Sequence, residues 1–205
     1  MLTTADTPEL KVVLFDFGGV LLRLHDPVKT FGIGDTPDDF HRRWIHSPSV
    51  IAHESGQIDT ALFGERIVAE MGLPYSPQEF IRRFANWPDR ISADTAGLVQ
   101  RIPTALDCAI LSNTNELHWA LQDIPGVFGG RIDRCFLSFE TGLIKPEAAA
   151  FHQVADAYSC APPSILFIDD NPVNISAATS AGMRARLCPG VEALESVLTR
   201  EGVSC

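Results

Sequence analysis

A doubly wound, parallel α/β sheet, Rossmann-like, with a small all-helical cap inserted after its first strand is the fold this sequence predicts. Three observations lead to it. Short, wholly apolar runs such as VVLF at residues 12–15 and ILFI at residues 165–168 read as strands buried on both faces. From residue 107 onward such runs alternate with helical patterns, the order that builds right-handed crossovers between parallel strands. Residues 26–92, in contrast, hold no strand-like run and several helical stripes.

The chain opens on a polar lead-in, residues 1–10. Val12, Val13, Leu14 and Phe15 make the first strand, which stops at Asp16, followed by Phe17, Gly18 and Gly19. Paired glycines let the backbone turn sharply and bring N–H groups close to a small anion. In the insert, Phe40, Trp44 and Ile45 share one helical face. Leu62, Phe63, Ile67, Val68 and Met71 form a second stripe, and Phe80, Ile81 and Phe84 a third. Pro37, Pro48, Pro74, Pro77 and Pro88, with Gly56 and Gly72, separate these helices. The division is therefore core at residues 1–24 and 93–205, and cap at residues 25–92.

Residues 107–111 form the second strand, closed by Ser112, Asn113, Thr114 and Asn115, with a helix near residues 116–121. Arg134–Leu137 is the third, after which Gly142 and Pro146 break the chain. Residues 147–158 are helical and bury Phe151, Val154 and Ala155. The strand at residues 165–168 ends in Asp169 and Asp170, and the helix through residues 175–181 stops at Gly182. Residues 185–188 make a weaker last strand and residues 191–198 a last helix.

Composition narrows the function classes. A net charge of −10 over 205 residues leaves no basic stripe for nucleic acid. It does not exclude an anionic substrate, because a bound divalent cation reverses the local field. No apolar run approaches the roughly 18–20 residues that cross a bilayer. The N-terminus lacks the basic and apolar regions of a signal peptide. The five cysteines, Cys108, Cys135, Cys160, Cys188 and Cys205, are odd in number without CxxC spacing. Cys108, Cys135 and Cys188 lie in apolar runs and read as reduced core residues, so a cytoplasmic protein is expected.

Polar residues gather at the strand ends: Asp16; Ser112 with Asn113; and Asp169 with Asp170. In a parallel sheet these ends share one edge, where open α/β sheets bind ligands. Lys145, held before Pro146, is a fourth. Each has a structural explanation taken alone: an Asx-turn at Asp16, a helix cap at Ser112 or Asn113, a solvated lysine. Adjacent carboxylates at Asp169 and Asp170, however, repel each other unless a cation or donors intervene.

The segments FDFGGV, LSN, KPE and FIDDNPVN, in that order, resemble the four motifs of the haloacid dehalogenase-like hydrolases. The insert after the first motif is similar to the cap of the β-phosphoglucomutase-like branch. HESGQID, residues 53–59, resembles a cap segment of the subgroup with a glycine-variant first motif. The resemblance implies a Mg²⁺-dependent phosphatase acting on a small phosphorylated metabolite, a sugar phosphate in that subgroup. Asp16 matches the nucleophile that becomes an aspartyl phosphate. Asp170 matches a Mg²⁺ ligand, with Asp169 a direct or water-mediated one, and an Asp16 oxygen and the Gly18 carbonyl completing the set. Ser112 and the N–H groups of Asn113, Phe17 and Gly18 match the phosphoryl-binding positions. Lys145 would bridge Asp16 and the phosphoryl group, and Asn174 would support the metal carboxylates.

One position departs from the pattern. Most phosphatases of this superfamily carry an aspartate, as general acid and base, where this chain has Gly18. Losing such a group costs on the order of 10²–10⁴ in rate. The metal-free 2-haloacid dehalogenases also lack it, which makes dehalogenation an alternative; a non-catalytic binding protein is another. Asp169 and Asp170 favour phosphoryl transfer. Without that acid, leaving-group basicity should govern the rate, favouring anomeric sugar phosphates or other activated esters. In the cap, Glu54, Arg43 and Trp44, with His41 and Arg42, are the candidates for contacting substrate. Glu54 stands out because Gly56 lets its turn approach the core. The cap is expected to hinge near residues 24–27 and 88–92.

Overall fold

The structure of the protein, a computed structural model, describes residues 8–33 and 36–204. Most of the polar lead-in and Cys205 lie outside the described residues. Five parallel strands, β1 (Val12–Phe15), β2 (Asp107–Ser112), β3 (Arg134–Leu137), β4 (Ile165–Asp169) and β5 (Arg184–Leu187), form one sheet in the order β3-β2-β1-β4-β5. β1 is central, so its two faces are covered and all four residues are apolar. Val13 and Phe15 pack on one side, with Leu98, Val99, Phe128 and Leu198. Val12 and Leu14 pack on the other, with Phe151, Val154 and Ala178. The edge strand β5 is weaker, as expected, and Leu187 is exposed.

Five helices follow β1 as the inserted unit, before the core helix that leads into β2: α1 (Pro27–Phe31), α2 (Pro37–Ile45), α3 (Pro48–Glu54), α4 (Thr60–Met71) and α5 (Pro77–Ala85). Asp26, Thr36, Ser47, Asp59 and Ser76 cap them, each side chain accepting from a first-turn N–H. Each such cap contributes about 1 kcal/mol. Proline fills the first helical position in α1, α2, α3 and α5, where its missing N–H costs nothing. These helices enclose their own aromatic core of Phe31, Phe40, Trp44, Phe63, Phe80, Phe84 and Trp87. Ile45 and Leu62, expected on its buried faces, are exposed. Each follows or precedes a buried aromatic residue by one position, and a step of 100° turns it off the apolar stripe.

The core helices are α6 (Ala93–Arg101), α7 (Glu116–Ala120), α8 (Ile124–Phe128), α9 (Ser138–Thr141), α10 (Ala148–Ala157), α11 (Pro172–Ser180) and α12 (Leu194–Arg200). Of these α6, α8 and α9 were not anticipated. α8 and α9 are single turns, too short to show a period, while α6 has Ala96, Leu98 and Val99 as a readable buried stripe. The two connections to the helical unit run side by side rather than apart. Leu24 and Pro88 form an antiparallel bridge, the His25 N–H donates to the Trp87 carbonyl at 2.9 Å, and the Asp89 N–H to the Arg23 carbonyl at 2.9 Å. Among the described residues no helix is long and apolar enough to cross a membrane. Cys108 and Cys188 are buried, and Cys135 is half-buried.

Candidate active site

Register brings the polar strand ends level. Phe15 pairs with Ile110 of β2 and Ile168 of β4. The next residues, Asp16, Leu111 and Asp169, therefore share a row, with Ser112 and Asp170 one step beyond. The Asp16 N–H donates to the Ile168 carbonyl at 2.8 Å, extending the ladder past the strand. Asp16, Ser112 and Asp169 are buried, while Asp170 is exposed toward the opening.

Lys145 closes the group from a loop preceding α10. The residue is 3 % exposed, and its Nζ donates to Asp16 Oδ1 at 2.8 Å and Asp169 Oδ2 at 2.6 Å. Asn113 positions that loop. Its Nδ2 donates to the Lys145 carbonyl and its Oδ1 accepts from the Lys145 N–H, both at 2.9 Å. The Asn113 side chain is thus committed, leaving its N–H as the group for a ligand. Asp169 is equally committed. Besides Lys145 it accepts from the Asn171 N–H at 2.7 Å and from Asn174 Nδ2 at 3.2 and 3.0 Å. Four donor contacts saturate its two oxygens, so the carboxylates open to a cation are Asp16 and Asp170.

Oxygens of Asp16, Asp169 and Asp170 lie within 4.8 Å of one another. When ionised, three carboxylates against one ammonium leave two negative charges in excess. Burial raises the Asp16 carboxyl to about 8; Lys145 pulls it down, and Asp169 and Asp170 add to the rise. Partial desolvation of its carboxyl at the cavity floor, then the charge of Asp169, lifts Asp170 to about 6, although the residue as a whole is exposed. Burial would lower Lys145, but Asp16 and Asp169 outweigh it and hold the ammonium above the usual lysine range. An all-oxygen set with this excess charge fits Mg²⁺, which takes few carboxylates and keeps waters. Gly19 makes the geometry possible: at φ +82°, a Cβ there would lie 2.2 Å from Asp170 Oδ2. Its role was legible only as a turn-former in the sequence.

These groups form the floor of a cavity of about 430 Å³ between the sheet edge and the helical unit. Glu54, at the end of α3, lines its opposite wall, as do Trp44 and His41. Glu54 is half-buried, and burial pushes its carboxyl up to about 7 against a hydrogen bond from Trp44 and the charge of Lys145. Nearby Gly56 does approach the core: at φ +72° a Cβ would meet the Phe139 carbonyl oxygen at 2.2 Å. Arg43, expected as a substrate contact, is outside the cavity, with Nη2 donating to the Met71 carbonyl at 3.1 Å. Arg42 pairs with Asp39. Both lie on the solvent side of α2, since Trp44 takes the inward position.

A further link between core and helical unit has no signature in the sequence. His118 Nε2 lies 2.7 Å from the Phe84 carbonyl, which can only accept, so Nε2 carries the proton. Nδ1 then accepts from Asn115 Nδ2 at 3.2 Å, while Asn115 Oδ1 caps α7 at the His118 N–H. Burial holds this imidazole neutral, its pKa lowered to about 4 despite the Phe84 bond.

A family profile described as haloacid dehalogenase-like hydrolase matches residues 10–182. Among solved structures, a HAD family enzyme from Bacteroides thetaiotaomicron in its magnesium complex is 25 % identical, with a TM-score of 0.75 over 94 % of this chain and 100 % of that one. A predicted HAD-like family hydrolase from Porphyromonas gingivalis is 22 % identical, with a TM-score of 0.77 over 97 % and 100 %. The L-2-haloacid dehalogenase RSc1362 is 18 % identical, with a TM-score of 0.63 over 87 % and 86 %.

Proposed function

This chain belongs to the haloacid dehalogenase-like hydrolases, and from that premise we propose that it is a Mg²⁺-dependent phosphatase of a small phosphorylated metabolite. The observation that carries the reading is the cluster of Asp16, Asp169 and Asp170 at the sheet edge, the first two buried and bonded to the single ammonium of Lys145 and the third exposed toward the opening. The Bacteroides enzyme has also been solved with magnesium and inorganic phosphate, in keeping with such chemistry on this fold. Asp16, Asp170 and the Gly18 carbonyl would hold the ion, with Asp169 and Asn174 behind them. When bound, Mg²⁺ offsets the repulsion between the carboxylates and a phosphate dianion.

The chain's own residues divide the reaction into two displacements. Asp16 attacks phosphorus, forming an aspartyl phosphate as the bond from phosphorus to the alcohol oxygen breaks. The electron pair leaves with that oxygen, which takes a proton from water, since position 18 has no acid. Lys145, bonded to Asp16, stabilises charge gathering on the phosphoryl oxygens, while Ser112 and the N–H groups of Phe17, Gly18 and Asn113 orient them. Water then attacks phosphorus and the bond to Asp16 breaks, restoring the carboxylate and releasing phosphate. Glu54 takes the proton of that water.

Phosphate release from a panel of esters tests the reading: it is expected with Mg²⁺ and lost in excess chelator. Gly18 favours the dehalogenase alternative, and halide release from 2-haloacids in chelator would establish that reading instead. Gly19→Ala should push the Asp170 carboxylate from its place. Mg²⁺ affinity, read from an activity titration, is expected to fall about 10–100-fold; an unchanged midpoint would remove Asp170 from the ligand set.

Glu54 carries a pH prediction. Lys145, Asp16, Asp170, His118, His41 and His46 share the cavity with it. As the base for the attacking water it must be ionised, so dephosphorylation should rise with pH and level above about 7, the value Glu54 takes on burial. With p-nitrophenyl phosphate, Glu54→Gln should show a burst of one nitrophenol per site, then turnover slower by roughly 10²-fold without that limb. The same limb and rate in the variant would exclude Glu54.

A further inference from the structure

Beyond its phosphoryl end the cavity is walled unlike a sugar site. Six large hydrophobic side chains are exposed among the described residues, and four of them stand at this one mouth. Leu24 is 43 % exposed, Ile45 38 %, Ile51 44 % and Val173 54 %. They come from four separate places: the connection after β1, α2, α3 and α11. Exposed apolar residues scattered singly need no explanation, but convergence of four on one opening marks a surface that something covers.

Of the polar side chains around the same space, three on the core side are committed elsewhere. Asn113 is clasped to the Lys145 backbone, and Asn115 and His118 are spent on each other and on Phe84. On the helical side the polar lining is His41, His46 and Glu54. Hydroxyl groups brought against Ile45, Ile51 and Val173 would give up water without gaining partners, at a cost for each. The volume of about 430 Å³ is more than a phosphate needs and suits a small ester.

We infer that the substrate is a phosphate monoester whose alcohol half is apolar, an alkyl or aryl group seated against Leu24, Ile45, Ile51 and Val173. The inference rests on the phosphatase reading and replaces the sugar phosphate that the family resemblance implies. The bonds made and broken are those of the two displacements above, with an apolar alcohol and phosphate as products.

A series of n-alkyl phosphates from ethyl to hexyl tests it, because leaving-group basicity hardly changes along the series while apolar area grows. With Mg²⁺, kcat/KM should rise about fourfold per methylene, mainly through KM, and glucose 1-phosphate should bind more weakly than hexyl phosphate. Calorimetric binding of the same esters to Asp16→Asn should show the same slope without turnover. Ile51→Asn and Val173→Thr should each flatten it. Flat kinetics and flat binding, with esters still hydrolysed, would overturn the apolar seat and leave the phosphatase standing; that is the outcome if the four residues only close on one another. A slope in binding with no ester hydrolysed would overturn the phosphatase and leave the seat. Neither slope nor turnover would overturn both.

Discussion

Asp16→Asn should abolish turnover, by on the order of 10⁴-fold or more, while leaving the metal-free protein at least as stable as its parent. An amide has nearly the shape of the carboxylate and its oxygen can still accept from Lys145, but it is not a nucleophile toward phosphorus. Stability should hold because Asp16 is buried beside two other carboxylates with only Lys145 in compensation. Its carboxyl is raised to about 8 in the folded chain from an ordinary 3.8. A carboxyl raised on folding contributes stability below its unfolded value, and that stability is lost as pH climbs through the folded one. Between pH 4 and pH 8 the metal-free parent should therefore lose stability that the variant keeps. Mg²⁺ should raise the parent's melting temperature by mass action and the variant's less. Thermal melts with and without Mg²⁺, beside assays of phosphate release, check all of this. Residual turnover at a tenth of the parent's rate would remove Asp16 from the chemistry.

Lys145→Met should be damaging in both respects. The side chain is buried, and its ammonium satisfies Asp16 and Asp169 at 2.8 and 2.6 Å. Removing one partner of a buried charge group strands the other, at roughly 3 kcal/mol or more. For a protein of this size that lowers the melting temperature by about 6–12 °C. Loss of the charge aimed at the phosphoryl group should cost a further 10²–10³ in kcat. The double variant with Asp16→Asn discriminates: neutralising Asp16 should return part of the stability lost with Lys145, a non-additivity that separate sites would not show. Additive melting shifts would mean that the two side chains do not depend on each other.

The strand cores were legible because a strand buried on both faces must be apolar throughout, and such runs are visible locally at Val12–Phe15 and at residues 165–168. The site was legible for a related reason. Asp16, Ser112, Asp169 and Asp170 each interrupt apolar sequence at a strand's carboxyl end, and parallel strands carry those ends to one edge. Ile45 and Leu62 were misread because a neighbour one residue away from a buried aromatic looks apolar in sequence whichever way the helix turns it. Arg43 stands outside the cavity for the complementary reason: with Trp44 facing inward, its neighbour faces out.

By itself the sequence determined the parallel α/β architecture, the helical insertion and the identities of the groups at the sheet edge, because each follows from period, composition or chain order. Tertiary structure alone decided what those groups do to one another. That Asp169 is saturated by Lys145, Asn171 and Asn174, and that Gly19 is small because Asp170 stands 2.2 Å from its missing Cβ, depends on distances set by packing. So does the apolar mouth of Leu24, Ile45, Ile51 and Val173, assembled from residues up to about 150 positions apart. A periodicity is fixed by neighbours along the chain; a cavity wall is fixed by which surfaces the folded core brings face to face.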